Sequence, residues 1–268
     1  MTIGPQRIVC LTEEPTEVLY ALGEDHRIVG ISGFTVRPAK ARKEKPRVSA
    51  FTSAKIDEIL KLKPDFVIGF SDIQSEIAAA LIKQGIEVWI SNHRSVSGII
   101  DYVRRLGALV GVADKANAYA DELEKNLAQV KQQADKLSRR PKVYFEEWDE
   151  PLISGIQWVC ELIRIAGGDD ILPERAEKSL AKDRIMASGD EVIARNPDII
   201  FGSWCGKKFR PEKVVQREGW ANINAVKNNQ LFEIKSPIIL QPGPAALTDG
   251  IKEIAAHIQR WAFEELDA

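Results

Sequence analysis

The fold is decided by the stretch Ile56–Phe70, IDEILKLKPDFVIGF, and its second copy Gly189–Ser203, GDEVIARNPDIIFGS. The copies align without a gap, so Pro64-Asp65 corresponds to Pro197-Asp198, 133 positions later. Each copy reads as a short helix with an acidic start, a Pro-Asp turn and a buried strand that ends near glycine. Equivalent parts in equivalent order predict two similar lobes.

Short runs of β-branched and aromatic residues recur on both sides of mid-chain, and each is followed by a segment of helical period. This alternation predicts the α/β class, with two Rossmann-like lobes built on central, mainly parallel sheets. The runs are Ile8–Leu11, Ile28–Ile31, Phe66–Phe70, Val88–Ile90, Val143–Phe145, Ile199–Phe201 and Leu231–Ile234.

Between the two halves, Ala113–Ser138 contains neither glycine nor proline and carries apolar residues at steps of three and four. The pattern predicts one amphipathic helix of roughly 39 Å, ended by Arg139-Arg140-Pro141. Both an ordinary crossover helix and a long rigid α-helix joining the lobes fit this pattern. The predicted domains are an N-terminal lobe over 1–111, a linking helix over 112–140 and a C-terminal lobe over 141–268.

The composition excludes several classes of function. The chain has 268 residues, and 37 Lys and Arg against 39 Asp and Glu give a net charge of -2, so no global field attracts nucleic acid or an anionic membrane. Three cysteines without a CxxC pair indicate neither a zinc knuckle nor a disulfide framework. No apolar run approaches the ~18 residues of a membrane span. We expect a monomer that binds a small molecule.

The opening MTIGPQRIVCLT lacks the charged and long apolar regions of a secretory signal. The expected location therefore depends on the native start. It is the periplasm if a signal peptide has been removed, and the cytoplasm if Met1 is the first residue.

Acidic side chains cluster after the first strand of each half. In open α/β sheets, ligands bind outside the carboxyl ends of the strands, so these carboxylates are predicted to line an acidic cleft between the lobes. Such a cleft favours a cationic ligand, a polar amide-rich ligand or a bound metal, because paired carboxylates need a counter-charge. The cluster contains Glu13, Glu14, Glu146, Glu147, Asp149 and Glu150.

From about Arg7 to Trp261 the order and spacing of these segments resemble the helical-backbone (class III) periplasmic solute-binding proteins of ABC importers for cobalamin, siderophores and haem. The cobalamin-binding members are the nearest likeness. One departure is Gln241–Ala245, QPGPA, where the family often has RPGPR, and this departure makes an anionic siderophore less favoured. The resemblance is carried by RIVCLTEEPTEVLYALGEDHRIVGIS, KPRVSAFTSAKIDEILKLKPDFVIGF, PLISG with ELIRIAGGDDIL, GDEVIARNPDIIFGS and GWANINAVKNNQLFEI.

The resemblance implies a solute held by side chains, with a corrinoid or related metal chelate as the expected ligand of an ABC importer. It also implies that Asp57 and Asp190, one in each lobe, dock onto arginines of the membrane permease. Core packing is an equal alternative for Phe51 and Phe70. The expected ligand-binding set is Glu13, Glu14, Phe51, Phe70, Glu146, Glu147, Trp148, Trp204 and Trp220.

No nucleophile–base pair stands in a recognisable context, and GxSxG, Walker and HExxH motifs are absent. We therefore predict no catalytic residues and no catalytic cofactor. A cytoplasmic binder or enzyme acting on a cationic or metal-containing molecule stays open as the alternative. The only candidates for a metal ligand are His93 and Cys205, each after a strand, whereas His257 in the last helix is predicted to lie on the surface.

Overall fold

The computed structural model of the protein describes residues 4–263. Two compact units make up the chain. Unit 1 is the described part of Met1–His93 with Ser97–Glu124, and unit 2 is Arg94–Val96 with the described part of Lys125–Ala268. Each unit contains a five-stranded sheet flanked by helices, which confirms the predicted α/β class with mainly parallel sheets.

The sheet of unit 1 is parallel throughout, with strand order β3-β2-β1-β4-β5. The chain builds outward from β1 in one direction and then returns to build in the other, so the strand order reverses between β1 and β4. The strands are β1 (Ile8–Cys10), β2 (Ile28–Ser32), β3 (Arg47–Ser49), β4 (Phe66–Phe70) and β5 (Glu87–Ser91), and the helices are α1 (Glu13–Ala21), α2 (Ala39–Glu44), α3 (Ile56–Lys61), α4 (Ser75–Ile82) and α5 (Val96–Leu109), with 3-10 turns at Asp25–Arg27 and Asp72–Gln74.

Helix α6, Ala113–Ala134, begins in unit 1 and continues into unit 2. It ends four residues before the predicted Ser138, because the N–H groups of Lys136 and Leu137 bond to carbonyls three residues back, in a tighter last turn. The predicted apolar face is the buried one, formed by Ala116, Ala120, Leu123, Leu127, Val130 and Ala134.

The sheet of unit 2 is centred on β6, which pairs in parallel with β8 and β9 and antiparallel with β7, while β10 extends the sheet beyond β9. Its strands are β6 (Lys142–Asp149), β7 (Leu152–Ser154), β8 (Asp169–Asp170), β9 (Ile199–Gly202) and β10 (Leu231–Glu233). Its helices are α7 (Gln157–Ile165), α8 (Pro173–Ala176), α9 (Asp190–Arg195), α10 (Pro211–Val215), α11 (Asn224–Lys227), α12 (Ser236–Ile239) and α13 (Ile251–Phe263), with 3-10 turns at Ala181–Arg184 and Trp220–Asn222 and a π-helical segment at Ala246–Gly250.

The repeat has the same local structure in both units. The first copy forms α3 and β4, and the second forms α9 and β9. The residue before each proline, Lys63 and Asn196, has a φ of 47°, in the left-handed region. This left-handed residue ends the helix and turns the chain into the strand.

The aspartate of each Pro-Asp turn bonds to the backbone at the start of the central strand. Asp65 accepts hydrogen bonds from the N–H groups of Gln6 (2.8 Å) and Arg7 (2.9 Å), just before β1. Asp198 accepts one from the N–H of Lys142 (2.9 Å), the first residue of β6. The same side chain therefore holds the entry of the central strand in both units.

The glycine at the end of each repeat strand is required by close packing. A Cβ on Gly202 would lie 1.9 Å from the Phe209 ring, and one on Gly69 would lie 2.4 Å from Oε1 of Gln74. Both distances are far below van der Waals contact, so any larger residue here displaces its neighbour.

The sequence pattern did not predict strands β3, β7 and β8. Each has two or three residues, too short for a period to show. No helix in the described part of the chain is long and apolar enough to cross a membrane.

We expect Asp65→Ala and Asp198→Ala each to lower the free energy of unfolding by about 1 to 2 kcal/mol, because each removes charge-assisted bonds to strand-entry N–H groups. Urea unfolding followed by circular dichroism measures the change. Glu122→Ala, at an exposed position in α6, is the matched control and should shift the midpoint little. Equal midpoints for all three variants would contradict the prediction.

Candidate functional site

Three phenylalanines follow the carboxyl ends of strands in unit 1. Phe34 comes two residues after β2 and is 50% exposed, Phe51 comes two residues after β3 and is half-buried, and Phe70 is the buried last residue of β4. The strands are parallel, so their carboxyl ends lie at one edge of the sheet. We call Phe34, Phe51 and Phe70 together the aromatic edge of unit 1.

Phe34 was missed by the sequence reasoning. It lies outside the repeat, and only its position after the strand Ile28–Ser32 pointed to it. Core packing does not account for Phe34, because an exposed ring contributes little to the core.

Phe70 packs into a series of rings beneath this edge. It meets His93 edge-on at 5.4 Å between ring centroids, and His93 stacks on Tyr102 at 4.5 Å. Tyr102 in turn lies 5.2 Å from Trp89. His93 therefore supports the aromatic edge from inside.

Glu13 and Glu14 lie in the first turn of α1, directly after β1, and both are buried. Burial raises the pKa of Glu13 to about 7 and that of Glu14 to about 8. Oε1 of Glu14 accepts a hydrogen bond from the Thr12 hydroxyl at 2.7 Å, while its Oε2 has no partner among the described residues. At neutral pH Glu14 is therefore mostly protonated.

The sequence predicted acidic residues after the first strand of each half, and in unit 2 this prediction is wrong. Glu146 and Glu147 lie within β6, not after it, because the antiparallel partner β7 extends that strand to Asp149. The two units therefore share the repeat but differ at the ends of their first strands.

Glu146 is fully buried and fully paired. Its carboxylate accepts two bonds from the Arg217 guanidinium, at 2.6 and 2.8 Å, and one from Nε1 of Trp204 at 2.9 Å. A bidentate arginine offsets the desolvation of a buried carboxylate. Glu146 is thus a structural anion of unit 2.

The neighbouring acids are paired as well. Glu147 accepts bonds from Arg184 at 2.6 and 3.2 Å, and Asp149 pairs with Lys207 and, at 3.8 Å, with Lys213. The expectation of acidic residues awaiting a counter-charge was therefore wrong. In unit 2 the chain supplies the cations itself, and in unit 1 burial keeps Glu14 largely neutral.

The tryptophans predicted to contact the ligand have other positions. Trp204 and Trp220 are each 2% exposed and belong to the core of unit 2, packed with Phe209 and Tyr144 respectively, so their placement at a ligand surface was wrong. Trp148 is half-buried, and the Lys207 ammonium lies 4.1 Å from its ring centroid.

The two candidate metal ligands, His93 and Cys205, lie in different units. Cys205 is exposed in unit 2 and His93 belongs to the ring series of unit 1. Within residues 4–263, no three His, Cys, Asp or Glu side chains are arranged to hold a metal ion. His257 is half-buried and stacks on Phe232 at 3.9 Å, so its assignment to the surface was wrong.

Asp57 and Asp190 are exposed in the first turns of α3 and α9. The glutamate after each is held within its own unit, since Glu58 pairs with Lys61 at 2.7 Å and Glu191 pairs with Arg175 at 2.8 Å. Neither aspartate forms an ion pair with another residue in the part of the chain that the structure describes; Asp190 accepts a bond from the Ser188 hydroxyl at 2.9 Å.

The sequence profile of the periplasmic binding protein family matches residues 8–238. The chain belongs to this family. The match spans both units and both copies of the repeat. It makes the chain a solute-binding protein of ABC transporters rather than an enzyme, as predicted.

Known proteins similar to this solute-binding protein share its whole length. An uncharacterised ABC transporter substrate-binding lipoprotein of Bacillus subtilis is 26% identical, over 97% of this chain and 82% of its own. The periplasmic vitamin B12 binding protein of Vibrio cholerae superposes with a TM-score of 0.76 at 21% identity, covering 98% of this chain and 100% of its own. A periplasmic heme-binding protein of Roseiflexus gives 0.79 at 22% identity, covering 96% and 100%.

The buried Glu14 carboxyl predicts an unusual pH dependence of stability. Its pKa is about 8 in the folded protein against an ordinary value of 4.5, so the folded state binds more protons between these values and stability falls as pH rises. Replacing it in Glu14→Gln should remove this loss, so that the variant gains about 3 kcal/mol relative to the parent between pH 5 and pH 8.

Urea unfolding at pH 5, 6, 7 and 8 measures this difference. Glu122→Gln, exposed in α6, is the control and should follow the parent at every pH. Parallel curves for Glu14→Gln and the parent would show that Glu14 ionises normally.

Proposed function

We propose that this solute-binding protein binds a flat, tetrapyrrole-like metal chelate, with a corrinoid as the first candidate, and delivers it to an ABC permease. The observation that carries the proposal is the aromatic edge of unit 1, where the exposed Phe34 and the half-buried Phe51 follow two neighbouring strands of one sheet and the buried Phe70 ends a third. Aromatic rings give a flat macrocycle a large contact area at little entropic cost.

The relatives support the ligand class. The similar proteins named above include one that binds vitamin B12 and one that binds heme, and both ligands are metal-centred macrocycles. A small cationic ligand is disfavoured, because Glu146, Glu147 and Asp149 are already paired with Arg217, Arg184 and Lys207, and burial raises the pKa of Glu13 and Glu14.

Delivery requires a second surface. Asp57 and Asp190 occupy equivalent positions of the repeat, are exposed and form no ion pair with a described residue. One such carboxylate in each unit fits docking to paired cations of a permease, since complementary charges set the register of an interface. The place of action is the outer side of the cytoplasmic membrane, as for the lipoprotein and periplasmic relatives.

Titration with cobalamin, cobinamide and haem, followed by absorbance and thermal shift, tests the ligand. We expect saturable binding of at least one, and a loss of about tenfold in affinity for Phe34→Ala or Phe51→Ala, because each removes a stacking surface. Phe263→Ala is the matched control, an exposed ring at the end of α13 in unit 2, and should leave affinity unchanged. Absence of binding by the parent protein would overturn the proposed ligand class.

Charge reversal tests the docking surface. Asp57→Lys and Asp190→Lys should each weaken ligand-stimulated ATPase activity of the partner permease in proteoliposomes by about tenfold or more, because attraction becomes repulsion. The Kd for the ligand should not change. Asp114→Lys, an exposed aspartate in the first turn of α6, controls for net charge. Equal stimulation by all three variants would remove the docking role.

A further inference from the structure

A cavity of about 410 Å³ lies against the edge strand β3 in unit 1. Two cations, Arg47 and Lys55, and two hydroxyl residues, Ser49 and Ser53, contribute to its wall, and Gly33 and Ala50 complete the side nearest the strand ends. No carboxylate lines it. The wall therefore offers hydrogen-bond donors and positive charge.

Both cations are exposed. Arg47 and Lys55 form no ion pair with any residue in the described part of the chain, although Arg37 and Lys40, earlier in unit 1, do. Arg37 pairs with Glu17 at 3.3 Å, and Lys40 lies 3.8 Å from Glu44. Two unpaired cations on one wall repel each other and gain most from a shared anion.

The backbone around the cavity is already bonded. The N–H of Gly33 donates to the Ser49 carbonyl at 2.7 Å, that of Ala50 to Ser53 at 2.7 Å, and that of Lys55 to Val48 at 2.9 Å. Ser49 donates its hydroxyl to the Leu11 carbonyl at 3.3 Å. These bonds use the backbone donors of Gly33, Ala50 and Lys55 and the Ser49 hydroxyl. The side-chain donors left for a ligand are the Arg47 guanidinium, the Lys55 ammonium and the Ser53 hydroxyl.

The cavity adjoins the aromatic edge through the chain itself. Gly33 and Ala50 line it, and the next residues are Phe34 and Phe51. A ligand lying on these rings has the cavity at its margin. A group of oxygens carried on the margin of a macrocycle is thus within reach of two cations.

From this arrangement we infer that the ligand carries an anionic oxygen group, a carboxylate or a phosphate, which Arg47 and Lys55 hold in the cavity beside β3. Guanidinium and ammonium groups make strong charge-assisted bonds to both kinds of anion. The inference rests on the proposed function, because it assigns a charge to the ligand bound on the aromatic edge. It replaces the expectation of a cationic ligand.

Two matched ligand pairs test it. Haem carries two propionates, which are neutral in haem dimethyl ester, and cobalamin carries a phosphodiester that cobinamide lacks. In at least one pair, the double variant Arg47→Met with Lys55→Met should bind the member that carries the propionates or the phosphodiester about tenfold or more weakly than the parent, and the member that lacks this group within twofold. The pair that responds identifies carboxylate or phosphate as the group.

The matched control is Arg42→Met with Lys43→Met, which removes two exposed cations of α2 that do not line the cavity. It should change each affinity less than twofold. Equal losses in both double variants would show a general charge effect, and no loss in either would also overturn the inference, while the proposed ligand class would stand.

If the parent binds none of these macrocycles, the proposed function fails. A titration with inorganic phosphate then tests the cavity as an anion site. Saturable shifts of the Gly33, Ser53 and Lys55 amide resonances, with a Kd at least fivefold higher in the Arg47/Lys55 double variant, would support an anion site independent of macrocycles. Absence of saturable shifts at these amides would overturn the anion site.

Discussion

Both units depend on how their central strand is held at its entry. The first N–H groups of a central parallel strand need acceptors, and a carboxylate placed just before a neighbouring strand can supply them. Asp65 before β4 and Asp198 before β9 bond to these groups, and the strands that follow pair with β1 and β6 in register. This contact therefore helps to fix where β1 and β4, and β6 and β9, end relative to each other.

The two units solve one electrostatic problem in two ways. Acidic residues near the end of the first strand are buried in both. In unit 1 desolvation raises the pKa of Glu14, which favours the neutral form, and no arginine is bonded to it. In unit 2 Glu146 stays paired with Arg217. Neither Glu14 nor Glu146 is therefore a free negative charge at neutral pH.

The proposed ligand contact, anion binding and permease docking involve different structural elements. Rings at strand ends offer contact area, Arg47 and Lys55 offer charge, and Asp57 and Asp190 lie on short helices that precede the strands. The repeat links Asp57 and Asp190, the proposed docking acids, to the sheet, because each short helix leads through the Pro-Asp turn into β4 or β9.

The sequence by itself determined the α/β class, the repeat, the linking helix and the family, because these follow from periodicity and order along the chain. It also placed Phe70 at a strand end and Asp57 and Asp190 at helix starts, since those positions are local, whereas Phe51 came from the family resemblance because the strand before it is too short to show a period. Tertiary structure alone decided which side chains are free: Trp204 looked like an exposed loop residue and is core, and acids that looked unpaired meet cations up to 71 residues away. Charge pairing and burial depend on contacts between distant segments, and local sequence patterns carry no record of those contacts.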